Sequence, residues 1–413
     1  MDVMVERCAG LDVGKDEVVA CIRTPKTSGH GRHSELRVFA TFTSALETLA
    51  DWLTENGVSE VVMEATGPYW KPIWYVLEDR EFDLKLVNAK HVKMVPGRKT
   101  DMADAAWLAE LLEHGLLRSS FVPPPAIREL RDLTRYRKRL IQTHTAEQQR
   151  VQKILEDAGV KLDSVASDIF GVSGRAMLAA FIAGERDPDT LAALAKGTLR
   201  QKLPELREAL RGRFRDHHAI ILKITMDHVA HLEDAIAALD AEIERVMVPF
   251  SKARDHLDTI PGVAKRSAEC IIAEIGIDMT RFPTAAHLAS WAGMCPGNNI
   301  TGGKRGSGKT TKGNRWLGEI LNQCASAASH TRDTYLAAQY WRLVRRIAKR
   351  KAAVAVGHSI LVICWHLLTN DCDYADLGGD WFTRRTDLDK RRDHLVRQLQ
   401  DLGYGVSLTK AAA

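Results

Sequence analysis

Along the first 120 residues, short apolar runs alternate between two periods. Cys8 to Val13 and Glu17 to Arg23 read as strands around the turn Gly14-Lys15-Asp16, and Leu36 to Phe42 as a third strand. Ser44 to Asn56 then carries the spacing of a capped amphipathic helix. Glu60 to Met63 reads as a buried strand, Tyr69 to Arg80 as a helix, Leu84 to Val87 as a strand and Asp101 to Glu113 as a helix. Strands in hairpin order followed by strands alternating with helices predict a mixed α/β sheet. Phe121-Val122-Pro123-Pro124-Pro125 breaks the pattern and ends that domain.

From Ala126 to about Phe250 the periodicity is almost wholly helical. Val229, Leu232, Ile236, Leu239, Ile243 and Val246 recur at spacings of three and four, the a/d seam of a coiled coil. Such a seam needs a partner, either the helix Ile127 to Leu155 of the same chain or the same segment of a second subunit. Thr259-Ile260-Pro261-Gly262-Val263 with Lys265 then precedes the apolar helix Cys270 to Ile275. A helix that stops at a glycine turn and restarts at once fits a helix-hairpin-helix, whose backbone N–H groups face DNA phosphates, or a tight helix corner. The layout expected is 1–122 as an α/β domain, 123–254 as a helical coiled-coil region, 255–375 as a mainly α C-terminal domain and 376–413 as a basic helical tail.

Composition narrows the function classes. The chain has 413 residues, 45% hydrophobic and 27% charged, enough for ordinary cores. The N-terminus lacks a basic stretch followed by an apolar core, so no secretory signal is expected. The longest apolar run, Ala352 to Leu368, contains Gly357, His358, Ser359 and His366, so a buried helix is expected there and no membrane span. The seven dispersed cysteines form no CxxC pair, which points to reduced thiols in a cytoplasm. The net charge is +5, but Thr301 to Lys351 holds twelve basic and two acidic residues, a net of +10. That basic segment, with Trp316, Tyr335, Tyr340 and Trp341 interleaved, has the makings of a nucleic-acid surface. The run Arg135-Tyr136-Arg137-Lys138-Arg139 adds to it, and a solvated helix face is the plainer alternative.

Within the basic region, Gly303 to Thr311 matches the G-x-x-x-x-G-K-[ST] spacing of nucleotide-phosphate loops. The residues ahead of it, Pro296 to Gly302, are turn formers, and no buried strand leads into the motif. Nucleotide binding is therefore not expected, and Lys304, Arg305, Lys309, Lys312 and Arg315 read as cations for nucleic-acid phosphates.

Carboxylates appear where they are costly. Asp12 interrupts an apolar strand, Glu64 follows Val61-Val62-Met63, and Asp101 and Asp104 share one face of a helix start. Turn formation and helix capping would account for each singly. Together, acids on two strands and a following helix can converge at one sheet end, and four oxygen donors suit Mg²⁺ or Mn²⁺.

Gly10-Leu11-Asp12-Val13-Gly14-Lys15, Met63-Glu64-Ala65-Thr66-Gly67 and Pro96 to Ala105 resemble the DEDD motifs of a class of bacterial insertion-sequence transposases, relatives of the Piv DNA invertase. Ile260-Pro261-Gly262-Val263, Ala292 to Asn298 and Lys312 to Leu317 are similar to that class's C-terminal domain. The resemblance implies an RNase H/RuvC-like N-terminal domain, magnesium-dependent DNA strand exchange between element ends and target, a guide RNA and a homo-oligomer. It also implies a C-terminal serine as nucleophile. Five residues after Pro296, where that class has serine, stands Thr301, so either Thr301 or Ser307 takes the role. A RuvC-fold phosphotransferase or ATPase, or a non-catalytic nucleic-acid-binding coiled-coil protein, are the competing classes.

Overall fold

The computed structural model describes residues 2–26, 31–65, 67–88, 92, 104–297, 300–305, 310–384 and 388–409. The chain divides into two compact units, Met1–Val122 and Pro123–Ala413.

The first unit is built on strands β1 (Cys8–Val13), β2 (Glu17–Pro25), β3 (Arg32–Ala40), β4 (Glu60–Glu64) and β5 (Asp83–Val87), in the sheet order β3-β2-β1-β4-β5. β1, β2 and β3 pair antiparallel, whereas β1, β4 and β5 are parallel. β1 and β4 take the centre because both their faces are apolar; β3, exposed along most of its length, takes an edge. Helices α1 (Thr43–Glu55) and α2 (Trp70–Glu78) cover one face, where Leu46, Leu49, Leu53, Ile73 and Leu77 pack on Leu11, Val61 and Met63. Helix α3 (Asp104–Glu113) covers the other, with Leu108, Leu111 and Leu112 against Cys8, Val62 and Val87. β3 starts four residues before the sequence pattern does, because its polar N-terminal half follows β2 outward as an edge and carries no apolar signal. The N-cap of α1, Phe42, makes no side-chain capping bond, unlike the capped start expected.

The second unit is mainly helical. α4 (Pro125–Asp157) and α5 (Asp216–Met247) form an antiparallel pair: Arg137 faces Asp240, His144 faces Glu233, Glu147 faces His228 and Asp157 faces His218. The 3-4 seam therefore finds its partner within the chain. Val229, Leu232 and Ile243 are buried, and Ile236, Leu239 and Val246 are half-buried. Short helical segments between Leu162 and Ala209 close a separate apolar cluster around Met177, Leu178, Phe181 and Leu206 at the far end of the pair.

Beyond this pair come α6 (Ser251–Asp258), α7 (Lys265–Ile275), α8 (Ala285–Trp291), the two-residue strands β6 (Ile300–Thr301) and β7 (Lys304–Arg305), α9 (Arg315–Ala328), α10 (Tyr335–Val344) and α11 (Lys349–Asn370). α11 is the apolar segment singled out in the sequence. Among the described residues it is the one helix long and apolar enough to cross a membrane, and its Ala352, Val356, Ile360, Leu361 and Cys364 are buried in a bundle with α8, α9 and α10. A short helix, Leu388–Asp401, lies in the basic tail.

Candidate active-site elements

Asp12 and Glu64 stand at the C-terminal ends of the adjacent parallel strands β1 and β4. Leu11 pairs with Met63, so Asp12 and Glu64 are the next residues in register. Both are half-buried. Side chains alternate along a strand, and the partners of Cys8, Gly10 and Val62 fix which face this is: Cys8 Sγ donates to Ala109 O at 3.4 Å, and Val62 packs on Leu108 and Leu111. Asp12 and Glu64, two residues further along each strand, belong to the face that α3 covers.

α3 runs antiparallel to β1. Two residues up the strand advance about 6.6 Å, and four residues back along the helix about 6 Å, so the helix passes from Ala109 beside Cys8 to Ala105 beside Gly10. Its first residue, Asp104, half-buried, is thereby brought toward the end of β1 that carries Asp12. Asp101 lies outside the described residues. Three carboxylates on one face and at one end of the sheet form an oxygen-donor set suited to a hard divalent cation. They are not drawn within ligand distance of one another: among the described residues, the one such group is Asp157, His217 and His218. There His218 Nδ1 accepts the Arg215 N–H at 3.0 Å and its Nε2 lies 3.1 Å from Asp157. One ring nitrogen thus caps α5 and the other pairs with Asp157 at the end of α4, so His218 is occupied in tying the two helices together.

Gly10 is what lets α3 approach. A Cβ at this position would lie 2.2 Å from Ala105 O and 2.5 Å from Ala109 N, both backbone atoms. Gly10→Ala is expected to displace α3, costing about 1–3 kcal/mol in stability. Thermal unfolding of the variant beside the wild type checks it. The other end of α3 is fixed by Glu113, which is buried and paired with Arg23 of β2 and Arg32 of β3. Sequence reasoning passed over Glu113, since its guanidinium partners lie on distant strands.

In the second unit, β6 and β7 form a minimal hairpin. Thr301 pairs with Lys304 across Gly302 and Gly303, whose φ values of 57° and 76° are those of a type I′ turn that only glycine enters freely. The turn therefore occupies the start of the phosphate-loop motif. A phosphate loop would instead lead from a strand into a helix, and among the described residues the next helix begins at Arg315. Pro296 bridges to Thr310 at the root of this excursion. Below it, the Gly293 and Gly313 backbones are in direct contact: a Cβ on Gly313 would lie 2.2 Å from Ala292 O. Lys304 and Lys312 are exposed, and Arg315, also exposed, pairs with Glu319 at 2.8 Å. Ser307 and Lys309 lie outside the described residues, and of Arg305 the strand position alone is described.

The hairpin root is anchored to a buried acid. Asn314 caps α9 by accepting the Leu317 N–H at 3.1 Å and donates Nδ2 to Glu274 Oε2 at 2.6 Å. Glu274, 3% exposed, also receives a two-pronged bond from Arg135 at 2.7 Å on each oxygen. Arg131 donates to the carbonyls of Ala273 and Glu274 at 2.9 and 2.7 Å. Burial pulls the Arg131 pKa down, to about 10, against the opposing charge of Glu274.

Part of the basic run Arg135 to Arg139 is engaged within the protein, while Tyr136 and Arg139 are exposed. Arg135 serves Glu274, Arg137 pairs with Asp240, Lys138 pairs with Glu319, and Arg135, Lys138 and Arg139 lie 5.5–5.7 Å from the Trp316 ring centre. Trp316 is thus a cation–π platform for α4. Tyr335 stacks on Phe382, while Trp341 stays half exposed. The turn at Gly262 packs on the following bundle: a Cβ there would lie 2.4 Å from Ala328 N, so Gly262 faces the backbone of α9. Lys265 pairs with Glu244 at 2.6 Å.

Comparison with known proteins places both halves of the chain. A family model described as a transposase, of the DEDD type, matches residues 9–159, and a second, for transposases of the IS116/IS110/IS902 family, matches residues 254–342. The transposase of insertion sequence element IS1111A from Coxiella burnetii is 24% identical over 76% of this chain and 79% of its own. The pilin gene-inverting protein of Moraxella bovis is 31% identical over 25% of this chain and 34% of its own. Among solved structures, Thermus thermophilus RuvC aligns over 28% of this chain and 99% of its own at 12% identity, with a TM-score of 0.22. The protein is a DNA recombinase of the transposase class. It belongs to the IS110 family of insertion-sequence transposases.

Proposed function

We propose that this transposase cuts and rejoins DNA strands between the ends of its element and a target, using Asp12, Glu64, Asp101 and Asp104 to hold Mg²⁺ or Mn²⁺ and a hydroxyl of the second unit as nucleophile. The observation carrying this reading is the placement of Asp12, Glu64 and Asp104 on one face of the sheet, at the ends of two parallel strands and a helix start. Oxygen donors alone favour a hard cation over zinc or copper. Such an ion, when bound, stabilises charge developing on the phosphodiester oxygens.

The hydroxyl is assigned to Thr301 over Ser307. Thr301 borders the Gly302-Gly303 turn, on an excursion whose root is pinned by Gly293, Gly313 and Asn314. Lys304, Arg305, Lys309 and Lys312 of the same excursion neutralise DNA phosphates. Trapping the reaction on a nicked duplex and mapping the protein–DNA phosphodiester by mass spectrometry tests the assignment. An adduct on Thr301 is expected; one on Ser307 moves the role, and full recombination by the Thr301→Ala, Ser307→Ala double variant removes it from both.

A guide RNA and assembly of more than one subunit complete the proposal, since two DNA partners must be held together. Trp341, exposed beside Arg342, and the exposed Lys304, Lys312, Lys349 and Lys351 supply stacking and phosphate contacts for RNA. Recombination by nuclease-treated protein on DNA alone would remove the guide from the proposal.

A further inference from the structure

Beside the hairpin root lies an open pocket of about 810 Å³ that the chemistry above does not use. Its size is within the roughly 300–1,000 Å³ typical of small-ligand sites. Met294 and Pro296 from one stem of the excursion and Thr310 from the other form one wall; Leu343 of α10 and Val354 and Ala355 of α11 form the apolar remainder. Arg350 and Lys351, both exposed, stand on the first turn of α11 at the pocket's edge.

Two polar atoms of residues lining this pocket have no hydrogen-bond partner among the described residues. Ser359 donates its hydroxyl to Ala355 O at 3.3 Å, so it accepts from Gln339 Nε2 at 2.9 Å, which leaves Gln339 Oε1 as a buried acceptor with no donor. His358 Nδ1, one residue away, is likewise buried without a partner. Buried polar atoms are nearly always paired. An apolar pocket with Gln339, His358, Arg350 and Lys351 in its lining suits a nucleotide: the base enters, Gln339 and His358 turn their unpaired atoms toward its polar edge, and its phosphate stays with Arg350 and Lys351.

We propose that this pocket takes one unstacked base of the DNA strand presented to the hairpin. The choice of DNA rests on the assignment of the hairpin to strand attack, because Pro296 and Thr310 belong both to the pocket wall and to the stems that carry Thr301. Extruding a base next to the reacting phosphate would hold the strand in one register without reading duplex sequence.

The test uses the full-length Thr301→Ala, Ser307→Ala protein, so that base binding is measured apart from any covalent attack. It is irradiated with a short single-stranded oligodeoxythymidine carrying one 5-iodouracil, and adducts are mapped by mass spectrometry. Adducts are expected on the peptides containing Met294 or Gln339 to Ser359. Val354→Trp, which fills the slot, is expected to lower their yield about tenfold, the worth of one base stack, while oligonucleotide retention on a filter falls far less. If Val354→Trp does not fold by circular dichroism, Gln339→Leu, of similar size, is expected to lower the same yield. Adducts confined to other peptides, or an unchanged yield in a folded variant, overturn the proposal. Stronger pocket adducts with the matching 5-iodouridine RNA would overturn the assignment to DNA and give the pocket to RNA.

Discussion

Asp12→Asn is expected to abolish strand exchange while leaving the protein folded and able to bind DNA. The substitution keeps the size and shape of the side chain at the end of β1, so the register with β2 and β4 should survive. What disappears is one negative charge from a face that also carries Glu64 and Asp104. Mutual repulsion among carboxylates falls, so the unfolding temperature should hold or rise slightly. The loss in rate should be large: an ion that supplies several kcal/mol of transition-state stabilisation is worth about a thousandfold or more. Recombination assayed across a magnesium and manganese titration, with DNA binding measured in parallel, checks this. Wild-type rates in the variant, or undiminished rates in excess chelator, would refute the metal role.

The second large effect is structural and falls on Glu274. Removing this carboxylate in Glu274→Ala leaves Arg135 without its two-pronged partner, Arg131 without its stronger negative neighbour and the Asn314 side chain without an acceptor. Breaking a buried pair by deleting one member costs about 3–5 kcal/mol, because the remaining charge stays buried uncompensated. The cost should appear as a lower urea midpoint. Glu274→Gln, which still accepts from Asn314 but lacks charge, should fall between the two. Because Asn314 also caps α9 at the hairpin root, both variants should lose exchange activity in the same order. A midpoint for Glu274→Ala within about 1 kcal/mol of the wild type would show that this network is not an anchor.

How much of this could be read from the sequence follows from the range of each interaction. β1, β4 and β5 were legible because an apolar strand declares itself within five or six residues, and Asp12 stood out by interrupting one. The seam on α5 was legible as a pattern, but its partner was not. Selecting α4 of the same chain depends on pairings such as Arg137 with Asp240, 103 residues apart. Glu274 and Glu113 were invisible for the same reason: each sits in an ordinary helix, and Arg135 and Arg23 lie 139 and 90 residues away. The basic run Arg135 to Arg139 shows the opposite case, since a local cluster of cations reads wholly as surface, whereas distant acids claim Arg135, Arg137 and Lys138. Gly262 was recognisable as a turn glycine and Gly10 was not singled out, and the backbones they admit, of α9 and α3, could be found only in three dimensions.

The antiparallel pairing of α4 and α5 also constrains how such a protein can change over time. As residue numbers climb from 137 to 157 on one helix, those of their partners fall from 240 to 218 on the other. A deletion in one helix alone would shift every later partner out of step and turn the apolar seam away from its mate. Length in this arm can therefore be gained or lost only by compensating events on both strokes, in whole heptads. Sister elements whose arms differ in length should carry matched insertions near residues such as 144 and 233, and single unmatched ones should be confined to copies that no longer move.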